Sequence, residues 1–101
     1  MKFAIIGTGS VGGYFGARLH EAGEDVVFLA RGQHLRALRE NGLQLHSIDG
    51  DYHATTVSAH DQFPDMGTVD VVLVATKAWQ VPEIAPDLQA LLHKDTFVVP
   101  L

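Results

Sequence analysis

Phe3-Ala-Ile-Ile-Gly7-Thr-Gly9-Ser-Val-Gly12 is the stretch that decides the fold. A short apolar run of strand type passes directly into Gly-x-Gly-x-x-Gly, and a helical pattern follows. Each glycine has its own task when such a turn meets a dinucleotide. Gly7 permits the tight strand-to-helix turn, Gly9 lets the backbone approach a pyrophosphate, and Gly12 lets the helix pack close to the strand. The free N–H groups and the positive end of the helix dipole then face the phosphates. Strand before and helix after are the context that raises this motif above a chance glycine pattern. The candidate cofactor-binding loop is therefore Gly7, Thr8, Gly9, Ser10, Val11 and Gly12.

Working outward, Val11, Phe15, Leu19 and Ala22 recur at helical spacing and predict the buried face of the first helix. Gly12 and Gly16, four apart, leave a groove of small residues against the sheet. Gly23 is expected to stop the helix. Glu24 and Asp25 make a polar corner before a second strand, Val26–Leu29.

The residue beyond that strand bears on the choice of cofactor. An NAD-type site places an acidic residue about 20 positions on, to bind the ribose 2′-hydroxyl. Here the sequence is Leu29-Ala30-Arg31-Gly32, with no carboxylate, and Glu24 and Asp25 lie at the wrong end of the strand. Arg31 offers a planar cation with paired donors, suited to a 2′-phosphate, so the pattern favours NADP(H).

Composition narrows the class. The 101 residues suffice for one domain, with 47% hydrophobic and 19% charged residues, as in soluble globular chains. A net charge of −5, with Arg36 and Arg39 the only local basic pair, argues against a nucleic-acid surface. No apolar run approaches the ~18 residues of a membrane span, and no secretory leader precedes Gly7, so a cytoplasmic location is expected. The absence of cysteine excludes disulfides and thiolate chemistry. Six histidines are present, but neither a strand nor a helix pair gathers His46, His53 and His60, spaced at seven, onto one site. No metal site is expected.

Gln33–Asn41 is predicted as a short helix with Leu35 and Leu38 inward, closed by Gly42. Leu43–Ser47 and Tyr52–Val57 alternate around Asp49-Gly50, which signals a β-hairpin. Ala59–Thr68, with Pro64 and Gly67, is expected to be loop or a short turn of helix. Val69–Ala75 is a nearly continuous apolar run, as a strand covered on both faces requires. Pro82 suits the first turn of a following helix, whereas Pro86 is expected to kink or restart it. Leu88, Leu91 and Leu92 would give its buried face, and Thr96–Leu101 one more strand. The fold class is α/β: a Rossmann-like parallel sheet with helices on both faces and an inserted β-hairpin.

Gly7-Thr-Gly9-Ser-Val-Gly12-Gly13-Tyr14, Ala30-Arg31-Gly32 and Val74-Ala-Thr-Lys77-Ala-Trp-Gln80 together resemble the N-terminal domain of ketopantoate reductases, the NADPH-dependent 2-dehydropantoate 2-reductases of coenzyme A biosynthesis. The resemblance covers essentially the whole chain. It implies that the glycine loop holds the pyrophosphate and that Arg31 and Lys77 contact the cofactor near its 2′-phosphate and adenosine side. Lys77 stands at a strand's carboxyl end, where open α/β sheets place ligands, so a catalytic acid or a plain surface lysine remain alternatives. The resemblance further implies a small 2-oxo acid as substrate. The acid–base lysine, the substrate-binding residues and a cofactor-contacting glutamate would lie in a helical C-terminal domain outside residues 1–101. No catalytic residue is assigned within this chain. Alone it is expected to be inactive on ketopantoate and to self-associate through an uncovered strand edge. Two other classes stay open: a reductase or dehydrogenase of another 2-oxo or hydroxyacyl substrate, and a non-catalytic nucleotide-sensing module.

Overall fold

A computed structural model describes residues 1–7, 10–76 and 84–101. Five strands form one sheet, all neighbours parallel: β1 (Lys2–Ile6), β2 (Asp25–Leu29), β5 (Ser58–His60), β6 (Val71–Val74) and β7 (Phe97–Pro100), in the order β5-β2-β1-β6-β7. β1 lies at the centre and pairs Ile6 with Leu29 on one side and with Val74 on the other. The expected Rossmann-like topology is thereby present, with successive carboxyl ends aligned along one edge.

Alternate residues of each strand point to opposite faces, and two separate cores result. On one face Ile5, Val26, Phe28 and Leu73 meet helix α1 (Ser10–Glu21), helix α2 (Gly32–Asn41) and a two-stranded hairpin. On the other, Ala4, Ile6, Val27, Leu29, Val72 and Val74 are covered by the short helix α3 (Phe63–Met66) and a 3-10 helix, Asp87–Leu91. Phe63, Met66, Leu88 and Leu91 supply that cover.

The buried face of α1 differs from the one its bulky residues predict. Val11 is 52% exposed and Phe15 41%, and Ala22 is exposed too, while Gly12, Gly16 and Ala17 face the sheet. The helix lies too near the strands to admit large side chains. A Cβ on Gly16 would strike the Phe28 ring, and one on Gly12 would strike the Gly7 carbonyl. The small-residue groove therefore sets the contact; of the predicted face Leu19 still packs partly against the core, while Val11 and Phe15 turn outward.

Arg31 is the extended N-cap residue of α2, and Gly42 closes that helix at φ 74°, its N–H bonded to the Leu38 carbonyl. Leu35 and Leu38 point inward as predicted. The hairpin pairs β3 (Leu43–Leu45) with β4 (Tyr52–Ala54), antiparallel, across a longer connection than a two-residue Asp49-Gly50 turn. The alternation in Tyr52–Val57 does not persist as one strand. The chain bends after Ala54, and Ser58–His60 joins the main sheet as its outer strand beside β2. Its last two residues fall in Ala59–Thr68, expected to be loop or a short turn of helix, and Phe63–Met66 is that helical turn. The strand is short, half polar and at an edge, so it carries no apolar run.

Beyond Pro86 the chain restarts as the 3-10 helix, in line with the missing N–H of that proline. Pro82 lies outside the described residues. β7 is an outer strand: Phe97 is 72% exposed, and Val98, Val99 and Leu101 are also exposed, whereas its neighbour β6 is almost wholly buried.

Candidate functional site

Three features lie along the carboxyl edge of the sheet. The first is the corner where β1 ends. Gly7 adopts φ 84°, a conformation that glycine takes without steric penalty. Gly12 closes the corner from the helix side, where an added Cβ would collide with the Gly7 carbonyl and lie 2.9 Å from the Ala75 methyl. Ser10 and Val11 begin the helix at the same corner, with Val11 outward. Thr8 and Gly9, predicted members of the loop, lie outside the described residues.

The second feature is the end of β6. The Ala75 N–H still donates to the Ile6 carbonyl at 2.8 Å, so Thr76 is the first residue past the pairing with β1. A Cβ on Gly7 would lie 2.9 Å from the Thr76 methyl. The Thr76 hydroxyl is buried and has no hydrogen-bond partner, the one such side-chain atom among the described residues. Sequence reasoning did not single out Thr76. Its signal is a hydroxyl at the end of the otherwise apolar run Val71–Ala75. Lys77, the next residue, lies outside the described residues.

The third feature is Arg31, two residues past Leu29 on β2, the strand next to β1. Its side chain is exposed, and among the described residues no hydrogen bond or ion pair commits its guanidinium elsewhere; it borders an open cleft of ≈ 440 Å³. Gln62, Phe63 and Pro64 form one wall of the cleft, and Pro86, Asp87, Gln89 and Ala90 the other. Arg39 is different: its guanidinium forks onto the Ala59 carbonyl at 3.2 and 3.0 Å and holds α2 to β5. Arg36 borders a separate cleft of ≈ 380 Å³ with Gly32, Arg39 and Asp61.

Of the predicted site residues, the structure thus brings Gly7, Ser10, Val11 and Gly12 to one corner and puts Arg31 on the adjoining strand's exit. No group of three or more metal-ligating side chains occurs among the described residues. His46 pairs with Asp51 at 3.5 Å, and His53 with the Asn41 carbonyl at 2.9 Å, on the hairpin. His60 contacts Ser58 at 3.3 Å on the outer strand. No described helix is long and apolar enough to cross a membrane.

The corner can host a phosphate-bearing ligand: a glycine-lined approach, the amino end of a helix and an unpaired hydroxyl sit together. These traits fit the pyrophosphate of a nicotinamide dinucleotide. The architecture is Rossmann-like α/β.

Comparison with known proteins gives the family. Residues 3–101 match the model of the ketopantoate reductase PanE/ApbA family, and the chain belongs to that family. It is 40% identical over 90 residues to the 2-dehydropantoate 2-reductase of Nostoc sp. (strain PCC 7120), covering 86% of this chain and 28% of that one. The crystal structure of 2-dehydropantoate 2-reductase from Geobacter metallireducens GS-15 superposes with a TM-score of 0.92 at 34% identity. That match covers 100% of this chain and 33% of the other. A D-mandelate dehydrogenase, in a ternary structure with NADH and anilino(oxo)acetate, is also similar, with a TM-score of 0.85 and 31% identity. It too is covered to 33%, against 100% of this chain. The chain thus spans about a third of the length of the relatives it matches.

Proposed function

We propose that this chain is the NADPH-binding part of a 2-dehydropantoate 2-reductase, which reduces ketopantoate to pantoate in coenzyme A biosynthesis in the cytoplasm. The observation that carries this is the corner itself, where Gly12 cannot bear a Cβ and Gly7 holds φ 84°. Family membership and the exposed Arg31 beside it support the same conclusion.

In this proposal Gly7, Thr8, Gly9, Ser10, Val11 and Gly12 cradle the pyrophosphate with backbone N–H groups. Arg31 takes the 2′-phosphate through a charge-assisted fork. Lys77 contacts the cofactor on the same adenosine side. When bound, the nicotinamide supplies a hydride for the ketone carbon of a 2-oxo acid. The chain's own residues hold and orient the dinucleotide. The acid that protonates the developing alkoxide belongs to a helical domain outside residues 1–101, as do the substrate contacts. Positioning both reactants is worth about 7–11 kcal/mol, which a half-site does not supply, so these 101 residues alone reduce no ketopantoate. The bare faces of β7 favour self-association of the isolated chain.

The D-mandelate dehydrogenase likeness favours one other reading, a reductase of this plan acting on a different 2-oxo acid. That neighbour holds NADH, so cofactor choice is the test to make first. Calorimetry with both cofactors should show NADPH bound one to two decades more tightly than NADH, from a contact worth roughly 1.5–3 kcal/mol. Arg31→Ala should erase most of the preference and leave NADH almost unchanged. Equal affinities in the wild type would overturn the NADPH assignment.

A further inference from the structure

We propose that Thr76 is a further cofactor-holding residue, its hydroxyl donating a hydrogen bond to a pyrophosphate oxygen of the bound dinucleotide. This rests on the dinucleotide reading of the same corner and adds a residue to it.

Buried side-chain hydroxyls almost always have partners, because leaving one unpaired forfeits its hydrogen bonds to water. Thr76 Oγ1 breaks that rule, and it is the only side-chain atom among the described residues that does. The run before it, Val71-Val-Leu-Val-Ala75, shows that the strand needs no polar group for its own packing. A valine would fill the same volume without an orphaned oxygen.

Place and stereochemistry suggest the missing partner. Thr76 stands at the carboxyl edge, one residue past the last β1–β6 hydrogen bond. Its methyl sits over the hollow left by the absent side chain of Gly7, where a Cβ would come within 2.9 Å. β-Branched side chains are stiff at χ1, so a methyl seated there restricts where the hydroxyl can go. The group is thus held beside the glycine turn before any ligand arrives. A pyrophosphate oxygen is anionic and can only accept, which suits a hydroxyl whose proton has no other taker.

The test separates a ligand role from a structural one by opposite signs. Thr76→Val should bind NADPH about ten- to a hundredfold more weakly, as loss of one hydrogen bond to a charged group predicts. The same variant, free of ligand, should melt at the wild-type temperature or above it, since an unsatisfied buried oxygen has been removed. Thr76→Ser, which keeps the hydroxyl, should retain most of the affinity. Unchanged NADPH affinity in Thr76→Val would overturn the assignment while leaving the dinucleotide reading intact. A lower melting temperature of the ligand-free variant would also overturn it, by showing that the hydroxyl serves the fold. If the wild-type chain bound no NADPH, the reading of the whole corner would fall, and Thr76 with it.

Discussion

The two ends of the parallel sheet are built on opposite principles. At the amino end the polar groups satisfy one another. Asp70 donates its N–H to the Lys2 carbonyl at 2.8 Å, and its own carbonyl accepts from Phe97 at 3.0 Å. Its carboxylate receives the Lys2 N–H at 2.7 Å and the His93 ring at 3.0 Å. Because the Asp95 N–H donates to His93 Nδ1, the ring proton lies on Nε2 and points at Asp70. Thr96 closes the set, donating to the Val69 carbonyl at 2.7 Å and accepting from the His93 N–H at 2.9 Å. Lys2 Nζ adds a bond to the Met66 carbonyl at 2.8 Å and ties α3 to the same end. One residue, Asp70, thereby ties β1 and β7 to the start of β6.

At the carboxyl end the described residues show the reverse. A glycine turn with positive φ, an arginine N-cap without a side-chain capping bond and an unpaired buried hydroxyl share that edge. On the proposed reading, a fold that satisfies itself at one end and leaves donors open at the other divides stability from binding. Damage at the amino end should cost stability and spare ligand affinity. Damage at the carboxyl end should cost affinity first.

The sharpest attempt to break this division is Gly12→Ala. The new methyl would enter the space of the Gly7 carbonyl, so α1 must move away from the turn. Calorimetry should find NADPH binding abolished, and the melt should report a loss of about 1–3 kcal/mol from overpacking. Retained affinity would show that the corner is not the phosphate cradle. Next in size is Thr96→Val, which removes two amino-end hydrogen bonds and leaves the Val69 carbonyl unpaired. Denaturant unfolding should show a loss of about 1–3 kcal/mol, with the NADPH dissociation constant unmoved. A tenfold change in affinity would mean that the two ends are coupled.

The smallest effect is confined to acid. The Lys2 N–H, and after it the His93 ring, hold the Asp70 carboxyl below its ordinary value of 3.8. A carboxyl depressed in the folded state stabilises the fold above its unfolded value, and that contribution is lost as pH falls through the folded value. Wild type and Asp70→Asn should therefore differ in melting temperature near neutral pH and converge as the pH falls below about 4. Curves that stay parallel down through that range would remove Asp70 from the acid response.

How much of this was legible in the sequence follows from which forces set each part. β1 and its turn stand out because a continuous apolar run meets glycines at fixed spacing, and Gly42 marks its helix end by the φ it must adopt. The buried face of α1 was misplaced because periodicity weighs bulky side chains, while close approach selects glycine and alanine. β5 was missed because Ser58-Ala-His, at a sheet edge, has one buried residue and no alternation to detect. Arg31 was singled out because no carboxylate follows β2. Thr76 was not, since only three-dimensional burial shows that its hydroxyl is stranded.

Pro100 has a consequence for how this molecule behaves in a crowded solution. Phe97 and Leu101 point their N–H groups inward, to Asp70 and Val74, so Val98 and Pro100 present theirs outward. Proline has none to present. The Thr96 N–H is already taken by the His93 carbonyl, leaving Val98, among the described residues, as the one backbone donor facing the outer rim of β7. Two copies meeting rim to rim could exchange little more than the Val98 pair, too little to template a growing fibril. Any contact between copies would thus favour the apolar faces of the strand over its rim, a reversible greasy association rather than an endless ribbon.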